Sequence, residues 1–270
     1  MKIGIFDSGY GGLTILEKIR ARLPQYDYIY FGDNARTPYG PRSFEVVYQY
    51  TLECVKRLFD EGCQLVILAC NTASAKALRT IQQNDLPHIA PDRRVLGVIR
   101  PTVEAIGSIT KTRCVGLVAT EGTIQSNSYP LEVAKLFPDI EVLGQPCPMW
   151  VPLIESNEHH TPGADYFVHK YLDSLFAKSQ NIDTLILGCT HYPLLLNQIQ
   201  SAVPVSVSVL TQGDIVAASL EDYLSRHPEI ASLCSQGATI RFLTTESVQK
   251  FASSASIFLN QPIVAEHITL

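Results

Sequence analysis

Two runs of branched apolar residues, Leu65-Val66-Ile67-Leu68 and Leu185-Ile186-Leu187, each end on a small residue and then a cysteine. The first continues Ala69-Cys70-Asn71-Thr72-Ala73-Ser74-Ala75, the second Gly188-Cys189-Thr190-His191-Tyr192-Pro193. Short, branched runs of this kind read as strands buried on both faces. The polar residues after each cysteine suit a helix start. Two thiols therefore stand alike at the carboxyl ends of core strands, where open α/β sheets bind ligands.

The rest of the chain alternates in the same way. Residues 2–6 read as a strand, Asp7 to Gly12 as a glycine-rich turn, and Leu13 to Leu23 as a helix stopped at Pro24. Further strands are expected at 28–31, 95–99, 113–118, 141–143, 205–210 and 239–243. A long helix starts near Phe44, with Phe44, Val47, Thr51, Cys54 or Val55, and Leu58 as its core stripe. Other helices are expected at 73–83, 102–109, 127–137, 164–177, 194–202, 214–224 and 248–258. The stretches 85–94 and Cys147 to Leu153, the latter with two prolines, read as loops. Such alternation predicts an α/β fold with mainly parallel sheets.

A polar strand end precedes each cysteine strand at similar spacing: Asp7 lies 63 positions before Cys70, and Thr120 lies 69 before Cys189. This approximate repeat predicts two pseudo-symmetric α/β domains, each contributing one thiol. The expected boundaries give a discontinuous first domain, 1–99 with 206–270, and a second, 100–205. The cleft between them is the expected site.

An apolar fraction of 46% and a charged fraction of 17% are those of a globular chain. The net charge of -5 gives no basic footprint for nucleic acid. No run approaches the ~20 apolar residues of a membrane span, and no secretory leader is evident. The seven cysteines include no CxxC pair, so the expectation is a cytoplasmic protein with reduced thiols.

Most cysteines are inert core residues. Cys70 and Cys189 differ because backbone N–H groups at a helix start stabilise a thiolate. Three chemistries are open to them. Cys189 with His191 can act as a nucleophile and base. Cys70, Cys189 and His191 can be three zinc ligands, although no fourth is evident, and a redox or metal sensor would use the same thiols. Alternatively, one thiolate removes a proton from one face of a carbon while the other thiol protonates the opposite face. Asn71-Thr72 and Thr190-His191 can hold carboxylates, as helix N-termini hold anions, or merely cap helices. Asp7-Ser8 ends the first strand, and a buried carboxylate there can bind an ammonium group or orient a thiol. Tyr39-Gly40 follows a proline in a rigid turn, and Thr120 and Thr123 follow another strand end. Arg100, Trp150 and the pair His159-His160 are given no role, the histidines being expected at the surface.

These motifs resemble the glutamate racemases of the aspartate/glutamate racemase superfamily. The likeness lies in Phe6 to Gly12, Asp33 through Pro38-Tyr39-Gly40, Ala69 to Ala75, and Gly97-Val98-Ile99 before Pro101. It continues in Ala119-Thr120 with Thr123, Cys147-Pro148 with Val151-Pro152-Leu153, and Gly188 to Pro193. The resemblance implies cofactor-independent racemisation of glutamate, with no metal, in the cleft between two domains. Cys70 and Cys189 would be the acid/base pair, Cys189 taking the α-proton of L-glutamate and Cys70 that of D-glutamate. Asp7 would assist Cys70 and His191 would assist Cys189. Asp7, Ser8, Tyr39, Gly40, Asn71, Thr72, Thr120, Thr123, Thr190 and His191 would contact substrate. It further implies a bacterial cytoplasmic homodimer supplying D-glutamate for peptidoglycan. Racemases of aspartate or other acidic amino acids share the single motifs. The chain departs from the pattern at Thr211-Gln212-Gly213-Asp214, where many relatives carry an Asp-Ser-Gly-like segment, and at Arg100.

Overall fold

The computed structural model describes residues 1–259 and 261–270. Its strands are β1 (Lys2–Asp7), β2 (Tyr28–Gly32), β3 (Cys63–Leu68), β4 (Arg94–Gly97) and β5 (Cys114–Ala119). They continue as β6 (Glu141–Pro146), β7 (Thr184–Gly188), β8 (Ser208–Leu210), β9 (Ile240–Thr244) and β10 (Ala265–His267). The helices are α1 (Leu13–Arg22), α2 (Phe44–Asp60), α3 (Asn71–Lys76), α4 (Leu78–Thr80) and α5 (Leu86–Ile89). Then come α6 (Ile99–Ile109), α7 (Glu121–Gln125), α8 (Ser128–Leu136), α9 (Trp150–Glu155) and α10 (Pro162–Phe176). Last are α11 (Leu196–Ala202), α12 (Gly213–Arg226), α13 (Pro228–Ala231) and α14 (Val248–Leu259).

The strands form two sheets, ordered β10-β9-β2-β1-β3-β4 and β6-β5-β7-β8. Every pairing described is parallel. The inner order 2-1-3-4 of the first sheet recurs as 6-5-7-8 in the second, so the repeat in the sequence is a repeat of topology. In each sheet the order reverses beside its first strand, between β1 and β3 and between β5 and β7. Such a switch point opens a crevice at the carboxyl ends of the strands. Asp7, Cys70, Thr120 and Cys189 end or follow those four strands.

Burial explains why these segments are strands. All six residues of Cys63–Leu68 and all five of Thr184–Gly188 are buried, as strands covered by helices on both faces require. The longest helix near them, α2, is capped by Ser43, whose Oγ accepts from Val46 N at 3.3 Å. It buries Val47, Thr51, Cys54, Val55 and Leu58. Phe44 departs from the expected stripe: it opens the first turn, and is 53% exposed. The two sheets share one continuous apolar core that includes Ile5, Leu65, Trp150, Leu185 and Tyr192.

Several boundaries differ from expectation. β4 stops at Gly97, because Ile99 already opens α6 and Pro101 fits its first turn without losing a hydrogen bond. Residues 99 and 100, on either side of the expected domain boundary, thus lie in one helix. The helix expected at 73–83 is broken at Ala77, and a π turn, Ile81–Asp85, carries it into α5 within the supposed loop 85–94. β6 runs on to Pro146, while β8 keeps only the last three residues of 205–210. The proline-bearing stretch after Cys147 contains α9, and β10 was not expected at all.

Candidate active site

Cys70 is the N-cap of α3 in extended conformation, and its Sγ accepts from Ala73 N at 3.4 Å. Ser8 Oγ lies 3.3 Å from the same sulfur, where either group can donate. Asp7, at the end of β1, accepts from Gly9 N at 2.9 Å through Oδ2, while its buried Oδ1 makes no hydrogen bond of ordinary geometry among the described residues. Burial, reinforced by the nearby Asp7 carboxylate, pushes the Cys70 thiol up to about 12. Burial also raises Asp7, against a lowering pull from His191. Cys70 is thus held as a proton donor at neutral pH.

The second thiol has different neighbours. Cys189 Sγ lies 3.8 Å from His191 Nδ1, and His191 Nε2 lies 2.9 Å from Glu155 Oε1. Burial pulls His191 down, but its hydrogen bonds and charge contacts with Cys189 and Glu155 outweigh this and hold it up to about 10. A protonated imidazole beside a sulfur stabilises a thiolate there. Glu155 is the functional candidate that sequence reasoning missed. It ends α9, which packing aims at the site: the Trp150 ring meets Tyr192 edge-on at 4.7 Å, and its indole N–H donates to Phe167 O at 3.2 Å. Phe258 of α14 closes over the His191 ring at 5.5 Å.

The loop after β1 touches both thiol motifs. Thr14 Oγ1 lies within hydrogen-bond distance of both Gly11 O (2.9 Å) and Thr190 O (3.0 Å). Gly11 approaches so closely that a Cβ there would collide with the Thr190 hydroxyl and the His191 ring. Across the crevice, Thr72 Oγ1 lies 2.9 Å from Thr120 Oγ1 and 3.4 Å from Thr123 Oγ1. Thr120 also caps α7, accepting from Thr123 N at 3.3 Å. Gly40 packs on this cluster: a Cβ there would sit 3.2 Å from Thr120 Cβ. Asp7, Ser8, Gly40, Cys70, Thr72, Thr120, Thr123, Cys189, Thr190 and His191 are therefore gathered at the two facing strand ends.

Two side chains named from sequence point elsewhere. The Tyr39 hydroxyl donates to Asp33 and its ring packs on Phe6 and Tyr50, so only its backbone adjoins the cluster through Gly40. The Asn71 amide is engaged at both ends, accepting from Tyr129 OH at 2.7 Å and donating to Gln212 Oε1 at 2.6 Å. What Asn71 offers a ligand is its N–H in the first turn of α3, which has no partner within the helix. His159, expected at the surface, is buried against His160. Among the described residues, no group of three or more His, Cys, Asp or Glu side chains is placed to hold a metal ion. Nor is any described helix long and apolar enough to cross a membrane.

Residues 13–220 match the family described as Asp/Glu/Hydantoin racemase. The chain is 41% identical to the glutamate racemase of Dinoroseobacter shibae, an alignment covering 97% of each protein. A crystal structure of a glutamate racemase isoform from Bacillus anthracis superposes with a TM-score of 0.90 at 34% identity, covering 100% of this chain and 97% of that one. The Francisella tularensis glutamate racemase in complex with D-glutamate superposes at 0.88 and 34% identity, covering 99% and 97%. With a fold and a full length shared with these enzymes, this chain belongs to the Asp/Glu/hydantoin racemase family, among the glutamate racemases.

Proposed function

We propose that the protein interconverts L- and D-glutamate by proton transfer between two thiols, without a cofactor. The observation that carries this reading is the pairing of environments: each thiol follows an equivalent switch-point strand, and each has its own acid–base partners. Cys189 has His191 beside it, held in turn by Glu155. Cys70 with Ser8 and Asp7 is built to hold a thiol. In the L-to-D direction Cys189 removes the α-proton and Cys70 protonates the opposite face; the reverse direction exchanges the roles. Charge developing on the substrate carboxylate is met by N–H groups of the Asn71-Thr72 turn and by the Thr190-His191 loop. Asp7 Oδ1 is an acceptor that a substrate ammonium can meet.

The residue assignments, the division 1–99 with 206–270 against 100–205, and a homodimeric state belong to the same proposal. So does a role in a bacterial cytoplasm supplying D-glutamate for peptidoglycan; kinship with glutamate racemases supports it. The test is circular dichroism of the purified protein with each enantiomer of glutamate and aspartate and no added cofactor. Loss of optical activity is expected with both glutamates. Turnover of aspartate in preference to glutamate would move the substrate assignment to another acidic amino acid. Sedimentation of the same preparation reads the oligomeric state.

A further inference from the structure

The mechanism above leaves unused a buried ring of polar side chains next to Cys70. Asn71 Nδ2 donates to Gln212 Oε1 at 2.6 Å, Gln212 Nε2 donates to Tyr129 OH at 2.8 Å, and Tyr129 OH donates back to Asn71 Oδ1 at 2.7 Å. Every bond runs the same way round, an arrangement in which each bond polarises the next. Gln212 Nε2 also donates to Thr102 Oγ1 at 2.8 Å, anchoring the ring in α6. All four residues are at most 3% exposed. The members come from four separate places: the start of α3, α6, α8 behind the second sheet, and the residue preceding α12.

We propose that Gln212 and Tyr129 are positioning residues that fix the Cys70 thiol relative to the second sheet. Asn71 follows Cys70 directly, so a grip on its amide sets the first turn of α3, whose Ala73 N–H holds the sulfur. One arm of the grip, Tyr129, comes from the 100–205 half. A matching link works in reverse on the other thiol: Thr14 of α1 meets the carbonyl of Thr190, the residue after Cys189. Each thiol is thus linked to a group from the opposite half, Cys70 through Asn71 to Tyr129 and Cys189 through Thr190 to Thr14, with Gln212 closing the first link from the 206–270 part of Cys70's own half. Two-sided proton transfer needs a fixed span between the thiols, because a reacting atom displaced by ~1 Å loses about 100-fold in rate.

The inference rests on the two-thiol reading and is tested with Tyr129→Phe, which deletes one hydroxyl at nearly constant volume. Thr110→Val is the control: it removes a partly buried hydroxyl that donates to Asp183 at 2.7 Å and accepts from Arg113 N at 3.1 Å, away from the thiols. In Tyr129→Phe, kcat is expected to fall about 10-fold with KM changed less than about twofold, the signature of a misplaced catalytic group. In heavy water, starting from L-glutamate, more deuterium is expected in the unreacted L-enantiomer per inversion than with the wild type. Abstraction by Cys189 continues while delivery by Cys70 is impaired. Starting from D-glutamate, exchange and inversion should fall together. A lowered Tm with wild-type kcat, KM and exchange ratio, as expected for Thr110→Val, would overturn the positioning role. If Tyr129→Phe does not fold, Gln212→Glu, which keeps the acceptor for Asn71 but removes the donor to Tyr129, is read in the same way. Failure of both to fold, while Thr110→Val folds, would assign the ring to stability alone and equally overturn the proposal. Full activity of Cys70→Ala would instead break the two-thiol reading itself.

Discussion

Replacing Glu155 by glutamine is the sharpest perturbation of the Cys189 side of the site. The substitution keeps the size and an acceptor oxygen but removes the charge 2.9 Å from His191 Nε2. Unit charges about 4 Å apart at an effective dielectric near 20 attract by ~4 kcal/mol. The Glu155 side chain is 24% exposed, so solvent screens part of this. With the hydrogen bond retained and about half the attraction screened, ~2 kcal/mol of imidazolium stabilisation is lost, or roughly 30-fold in rate. His191 should then titrate well below its present value of about 10, since burial alone pulls it down. The equilibrium constant between enantiomers is unity, so kcat/KM must fall equally in both directions. The assay is initial-rate circular dichroism with each enantiomer, paired with NMR titration of the His191 ring. A kcat/KM within about twofold of wild type, with His191 still titrating near 10, would refute the role given to Glu155.

Other substitutions separate chemistry from stability. Gly11→Ala drives a methyl into the Thr190 hydroxyl and the His191 ring, so kcat should drop more than about 10-fold for a stability loss of ~1–3 kcal/mol, read by activity and urea midpoint. Asp183→Ala removes the acceptor for Lys111 N (2.6 Å), Thr110 Oγ1 (2.7 Å), Thr112 N (2.8 Å) and Thr184 Oγ1 (2.9 Å). It should cost ~2–3 kcal/mol, lowering Tm by about 4–5 °C, with little change in kcat below the transition. His191 is raised from its ordinary range to about 10, so its contribution to stability is complete below about pH 6.5 and lost as pH rises through about 10. The gap in urea midpoint between wild type and His191→Asn should narrow over that window.

The thiols were legible in the sequence because their signal is local: a branched apolar run, a small residue and a cysteine. The helix start expected after both is found at Cys70, whereas Cys189 is followed by a turn and the 3-10 segment Tyr192–Leu195, with α11 starting only at Leu196. Asp7, Ser8, Thr120 and Thr123 were legible for the same reason, each closing or following a strand. Glu155 was not. Its helix carries Pro152 in the first turn, where proline costs no hydrogen bond, so the segment read as a loop. Its aim at His191 depends on Trp150 packing against Tyr192, a contact between residues 42 positions apart. The side-chain direction of Asn71 failed to show because its partners, Tyr129 and Gln212, lie 58 and 141 positions away; that of Tyr39 is set by Asp33, six positions earlier. Asp33 and Gln212 are buried, and nothing in the local pattern marks them as acceptors. Strand β10 was invisible at three residues, of which only Ala265 is buried.

Heavy water tests the two-sided transfer most directly. With L-glutamate, the first D-glutamate formed should carry deuterium at the α-carbon, while the remaining L-enantiomer keeps its hydrogen at early times. The mirrored pattern should hold from D-glutamate, and Cys70→Ala and Cys189→Ala should each abolish inversion. Early product that retains the substrate's own α-hydrogen, or full interconversion by either alanine variant, would contradict proton transfer between two thiols.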